Sequence, residues 1–498
     1  MSNVSNVIKS IQEIMRKDVG VDGDAQRISQ LVWMFFLKIY DDREAEIELL
    51  EDDYKSPLPD RLRWRNWAAD PGGITGETLI EFVTLQLFPT LKNKLSLSGP
   101  TGERARVIRN VFEDAYNYMK SGTLMRQVIN KICEIDFNNT ADRHTFGSIY
   151  EQILKDLQSA GNSGEFYTPR AVTKFIVDRV DPKLEESVLD PACGTGGFLA
   201  CAISYKQKYV KNADDEAVLV SSIHGVEKKA LPHMLCITNM ILHGIDTPTQ
   251  IEHDNMLSRR AYKDYGEADR VNVIVTNPPF GGMEEDGVED QFPATLRTRE
   301  TADLFMALVV KLLKNHGRAA VVLPDGFLFG EGMKTRLKQM LLEQCHLHTI
   351  VRLPNGVFNP YTGIKTNILF FTKKPEIEWP ATKEIWFYEH PYPKGVTSYT
   401  KTRPMQFEEF ETERTWWGNE ADGFESRVET PHAWKVGLAD IVSRNYNLDI
   451  KNPHVGEQVT HQPEELLQQH QTQQQGIQAL RDELKAILSA ALTGAYQG

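Results

Sequence analysis

Apolar residues recur at helical spacing through the first 140 or so positions. Ile28, Leu31, Val32, Phe35, Phe36 and Ile39 form one stripe, and Val111, Tyr118, Leu124, Val128, Ile129 and Ile132 form another. The pattern predicts a helical packing domain over residues 1–145, with a second helical run near 107–135, no strand and no catalytic signature. From about Ser187 the texture changes. Short β-branched runs at 187–189, 222–226, 271–276, 318–323, 348–353 and 367–372 alternate with helical segments, as parallel strands joined by crossover helices do. The expected fold class is therefore α/β, a doubly wound and mostly parallel sheet that binds ligands outside the carboxyl ends of its strands. Beyond Pro375 the chain is rich in Trp, Pro and charge, and a glutamine-heavy stretch at 468–475 leads into a helical tail. There Ile477, Leu480, Leu484, Ile487 and Ala491 keep a heptad-like spacing, which suits packing on a partner helix or on the chain's own body.

Size and composition narrow this picture. A chain of 498 residues is past the size at which one core stops growing, so two or three domains are expected. Cys133, Cys193, Cys201, Cys236 and Cys345 never form a CxxC pair, which argues against a zinc site or a disulfide framework, and no metal is expected. Charge interrupts every apolar run before the roughly 20 residues of a spanning helix, and the first residues carry no apolar signal core. A cytoplasmic chain with no membrane partner is expected. The net charge of -13 sits badly with unaided binding to a polyanion, because affinity for nucleic acid comes mainly from Lys and Arg displacing phosphate counterions. Either the basic residues cluster or a partner supplies them.

The candidate chemistry lies just after the strands. Asp190-Pro-Ala-Cys-Gly-Thr-Gly-Gly-Phe198 ends the first strand in an acid and turns on glycines into a helix expected at 199–209, so a ligand can approach the backbone closely. No Lys follows the glycines, as a phosphate-binding loop needs, and the spacing is not GxGxxG. Glu227 ends the next strand, where a carboxylate can accept both hydroxyls of an adenosine ribose. Asp254 and Asn255 follow the run 250–252, where a carboxylate can accept from an adenine amino group. Each acid alone reads equally well as surface charge. Together, acids after three successive strands suit a positively charged sulfonium ligand.

The sharpest signal is Asn277-Pro278-Pro279-Phe280, directly after the apolar run 271–276. Two prolines stiffen the backbone and remove amide donors, so the loop presents oxygens. A planar amino group could donate to the Asn277 side-chain oxygen and the Pro278 carbonyl, which localises the nitrogen lone pair. Phe280 would stack on the acceptor ring, in keeping with an enzyme that takes its base out of the duplex. The bland alternative is a rigid turn carrying a core aromatic.

These motifs, in this order, resemble the amino-group DNA methyltransferases. Phe146-Gly-Ser-Ile-Tyr-Glu and Gly164-Glu-Phe-Tyr-Thr-Pro-Arg170 upstream, with Ala433-Trp-Lys-Val436 and Asn445-Tyr-Asn-Leu-Asp-Ile-Lys-Asn-Pro453 downstream, extend the resemblance to the modification subunits of type I restriction-modification enzymes. Thr168 and Pro169 also read as N-cap and first residue of a helix ending near Val180. The resemblance implies an S-adenosylmethionine-dependent methyltransferase fold over 146–435, a helical domain over 1–145, and a C-terminal segment and tail over 436–498 that makes subunit contacts. It implies a cofactor site of Phe166, Tyr167, Thr168, Pro169, Asp190, Pro191, Gly194, Thr195, Gly196, Gly197, Glu227, Asp254 and Asn255. Asn277, Pro278, Pro279 and Phe280 would hold a flipped adenine of double-stranded DNA for methylation at N6. The partners implied are a specificity subunit, a second modification subunit and a restriction translocase subunit, which agrees with the acidic balance. Two other enzymes stay open, an N-methyltransferase for protein glutamine and a solitary adenine DNA methyltransferase, and so does a cofactor-binding scaffold without turnover.

Overall fold

The structure, a computed structural model, describes residues 2–137, 168–359, 362–400, 402–454 and 463–492. It divides into two compact units, residues 1–450 and 451–498.

The larger unit begins with helices, among them Ser2–Met15, Asp24–Leu50, Gly102–Phe112 and Gly122–Cys133. The stripe Ile28, Leu31, Val32, Phe35, Phe36 and Ile39 is buried as expected, but Trp33 and Met34 between them are buried too. That stretch is enclosed all round by its neighbours, so periodicity understates its burial. The run expected near 107–135 is two helices, parted by a turn at 113–121 and restarted where Ser121 caps through a bond from the Leu124 N–H at 3.2 Å. No strand occurs in the described residues before Val188.

A sheet of nine strands follows: β1 (Val188–Asp190), β2 (Ile223–Glu227), β3 (Ile251–His253), β4 (Val271–Thr276), β5 (Leu313–Pro324), β6 (Cys345–Arg352), β7 (Thr366–Lys373), β8 (Glu384–Glu389) and β9 (Ala433–Gly437). Their order is β3-β2-β1-β4-β5-β7-β6-β8-β9, parallel except where β7 pairs with β5 and β6 and where β9 pairs with β8. β8 and β9 fall in the stretch beyond Pro375, where Trp and charge hid the alternation. Apolar residues face both ways along the strands. Ala320, Val322, Ile368 and Phe370 enter one core, and Ala319, Val321, Leu369 and Phe371 the other. The N-terminal helices share the first of these cores, and Arg43 bonds to Asp246 across the junction at 3.1 Å.

The smaller unit contains the helix Pro463–Leu492, on which Ile477, Leu480, Leu484 and Ile487 are exposed. No helix among the described residues is long and apolar enough to cross a membrane. All five cysteines are free thiols.

Candidate active site

The parallel half of the sheet brings the carboxyl ends of β1, β2, β3 and β4 to one rim, and the turns after them line a cavity of about 530 Å³. That volume is in the roughly 300–1,000 Å³ range of small-molecule sites.

Asp190, at the end of β1, is buried, and its Oδ1 accepts from the Thr276 hydroxyl at 2.7 Å and the Ala192 N–H at 3.2 Å. It thereby ties the ends of β1 and β4 together. Burial raises its pKa to about 7, and nearby Glu227 adds to the rise while the two hydrogen bonds oppose it. The turn after Asp190 passes Gly194 at φ 53° and Gly196 at φ 78° before the helix Gly197–Lys206. Left-handed backbone suits glycine, and at Gly196 a Cβ would also meet Cys236 Sγ at 2.7 Å, whereas a Cβ at Gly194 would meet nothing within 4 Å. The helix starts earlier than expected and tightens to 3₁₀ over Gln207–Tyr209.

Glu227 accepts from the Gly194 N–H at 2.9 Å and the Lys229 N–H at 2.8 Å, one bond to each carboxylate oxygen. These two bonds fix the orientation of the carboxylate at the end of β2. Asp254 is held in register by its N–H bond to the Glu227 carbonyl at 3.0 Å, and its Oδ2 lies 3.4 Å from Arg259 Nε. Asn255 donates from Nδ2 to Glu284 Oε2 at 3.2 Å.

Asn277 leaves β4 with its amide nitrogen donating to Thr168 Oγ1 at 2.9 Å. Its Oδ1 is buried and has no hydrogen-bond partner among the described residues. A buried acceptor left open costs about 1–3 kcal/mol, so its persistence in a cavity wall points to a ligand that donates. Phe280 is buried and meets Phe358 edge-on, with ring centroids 6.4 Å apart.

Of the residues expected from sequence, Thr168, Asp190, Pro191, Gly194, Thr195, Gly197, Glu227, Asp254, Asn255, Asn277, Pro279 and Phe280 line this one cavity. Pro169, Gly196 and Pro278 are not among its lining residues, and Phe166 and Tyr167, with the upstream motif at 146–151, lie outside the described residues. One local expectation is corrected. The helix runs Arg170–Val180 with Pro169, not Thr168, at the cap position, and no side chain caps it. Pro169 has extended ψ of 138°, which ends the helix path there, and the Thr168 hydroxyl serves Asn277 instead.

Sequence reasoning missed Lys228, Lys229, Pro232, Glu284, Thr301 and Phe305 in the wall. Lys228 and Lys229 adjoin Glu227 and could have been found by walking along that turn. Glu284 and Thr301 carry no local signal.

A cationic, adenosine-bearing cofactor fits these residues. Glycine at 194 leaves the backbone open to a close approach, Glu227 is oriented for hydroxyl donors, and the acids answer a positive charge. The same cavity is lined by the proline-stiffened loop at Asn277, Pro279 and Phe280, which suits an amino group.

The sequence as a whole matches known proteins. A family model described as N-6 DNA Methylase matches residues 141–462, and one described as HsdM N-terminal domain matches residues 4–132. The chain is 63% identical over 495 residues to the type I restriction enzyme EcoEI methylase subunit of Escherichia coli, covering 99% of each chain. It is 27% identical over 437 residues to the EcoKI methylase subunit of Escherichia coli strain K12, covering 84% of this chain and 77% of that one. Among solved structures, a modification subunit of a putative type I restriction enzyme from Vibrio vulnificus YJ016 is similar with a TM-score of 0.80 and 42% identity, over 92% of this chain and 98% of that chain.

Proposed function

We propose, from the premise that this chain belongs to the methylase subunits of type I restriction enzymes, that it methylates N6 of a flipped adenine in double-stranded DNA and so protects host DNA. S-adenosylmethionine supplies the methyl group as an electrophile on a sulfonium. The observation that carries the reading is the buried, unpartnered Oδ1 of Asn277, a residue that lines the same cavity as Glu227 and Asp254.

Glu227 receives the ribose hydroxyls, and Asp254 with Asn255 receives the adenine end of the cofactor. Asp190 and the turn through Gly194, Thr195 and Gly197 hold the remainder, together with Thr168 and the neighbouring Phe166, Tyr167 and Pro169. Asn277 Oδ1 would accept a hydrogen bond from one N–H of the target amine and the Pro278 carbonyl from the other, which would localise the nitrogen lone pair for attack. No proton need be removed before transfer, since the product sheds it afterwards. Phe280, braced edge-on by Phe358, bounds the slot for the base.

The chain acts in a complex of two copies with a specificity subunit, to which a restriction translocase subunit is added. The acidic balance supports this division, because the partner then supplies the phosphate contacts. The test is transfer of labelled methyl by the purified complex, with DNA and a glutamine-bearing protein offered as competing acceptors. Label on N6 of adenine in DNA is expected. Label on protein, or full-rate methylation of a defined DNA site by the chain alone, would overturn the assignment.

A further inference from the structure

The segment after Phe280 does not simply leave the site. It turns on Gly281, at φ 65°, runs out and returns, closed at its base by the Met283–Glu300 bridge and by the Thr301 N–H bond to the Gly282 carbonyl at 3.0 Å. Inside that closure lies the Glu284 carboxylate, 7% exposed. Its Oε2 accepts from Lys228 Nζ at 3.1 Å and Asn255 Nδ2 at 3.2 Å, and its Oε1 accepts from the Thr301 hydroxyl at 3.2 Å. Its backbone is held as well, by N–H donation to the Arg299 carbonyl at 2.9 Å and by Arg299 Nη2 at 3.1 Å from its own carbonyl.

One buried anion therefore joins the turn after β2, the turn after β3 and both ends of the segment that continues the acceptor loop. A buried carboxylate is costly unless several donors serve it, and here three side chains do so. Lys228, Asn255, Glu284 and Thr301 all line that cavity. A ligand that reorients Asn255 would bear on Glu284 and so on the segment that Gly281 opens.

We infer that Glu284 is a positioning residue that couples the cofactor wall to the acceptor loop, so that cofactor and target DNA each strengthen binding of the other. This rests on the function proposed above. Energetic coupling of two ligands is reciprocal, and a strut between their sites is a physical route for it.

The test uses the assembled complex, with S-adenosylhomocysteine and a duplex carrying the methylated site as probes. Each affinity is measured by calorimetry with and without the other ligand. In the unsubstituted complex each ligand should tighten the other by roughly tenfold. Glu284→Ala should bring that factor to within about twofold of unity, with affinity for the duplex alone unchanged. Glu284→Gln, which keeps an acceptor oxygen and loses the charge, should fall between the two. If the alanine variant fails to assemble, Thr301→Val removes a single strut and should lower the factor by about threefold. A factor retained in these variants, or absent from the unsubstituted complex, overturns the inference. So does a loss of S-adenosylhomocysteine affinity with the factor intact. Methyl transfer by the same preparation reports separately on function: coupling without label on DNA sinks that reading and leaves the strut standing.

Discussion

Arg126 in the helical region and Asn277 in the cavity are both polar groups withdrawn from water, yet the chain treats them in opposite ways. The Arg126 guanidinium donates to the carbonyls of Trp67, Ala68, Asp70 and Ile74 at 2.7 to 3.3 Å, closing a loop onto its helix. Asn277 has one bond, to Thr168, and an acceptor oxygen with none among the described residues. The Arg126 guanidinium is closed by the fold's own carbonyls, whereas the Asn277 oxygen stands open in a residue that lines the cavity. A cationic partner is what separates Asp190, whose pKa burial raises to about 7 against two hydrogen bonds, from Glu186, whose pKa is lowered by hydrogen bonds and the charge of Arg318 against the effect of its burial.

The comparison is tested most severely by Asn277→Ala. Methyl transfer should fall by roughly 10²–10³-fold or more, the scale of losing one preorganised transition-state hydrogen bond. Affinity for S-adenosylhomocysteine should hold and the thermal midpoint should fall only slightly, since the one intramolecular bond lost is that to Thr168. Normal activity in this variant would break the contrast. Arg126→Met should do the reverse, lowering unfolding free energy in denaturant titration by about 3 kcal/mol as four carbonyls lose their donor.

A pH series sharpens the contrast further. Asp190 has a folded-state pKa near 7 against an ordinary 3.8, so its contribution to stability is complete below about pH 4 and is lost as pH rises through 7. The ligand-free protein should therefore lose stability between those limits, and Asp190→Asn should flatten that part of the curve. A cationic cofactor favours the ionised carboxylate, so its affinity should rise with pH by up to about tenfold per unit below 7 and level off above it. A flat profile in fluorescence or calorimetric titration would mean that Asp190 does not face the cofactor's charge. The smallest change is expected from Thr168→Val, which releases the Asn277 amide. Transfer should slow by about tenfold or less, with Thr168→Ser restoring it.

Much of this site was legible in the chain. Glycines that need left-handed backbone, acids at strand ends and a proline-stiffened loop after an apolar strand each announce themselves within a few residues, and the strand interval put them on one rim. The N-terminal helices were legible as a stripe, although the burial of Trp33 and Met34 was not, because periodicity records one face only. β8 and β9 stayed hidden because strands interrupted by Trp and charge lack a clean alternation.

The sequence by itself determined the fold class, the order of the motifs and most of the residues that the cavity gathers, since backbone freedom, side-chain charge and hydrophobic period are local properties. Tertiary structure alone decided which groups stay open and which are closed. Thr168 reaches Asn277 across 109 positions, and Glu284 reaches Lys228 across 56, and no local pattern encodes either meeting. Hydrogen-bond satisfaction belongs to pairs brought together by packing, so it is settled only when the sheet and its helices have closed around the cavity.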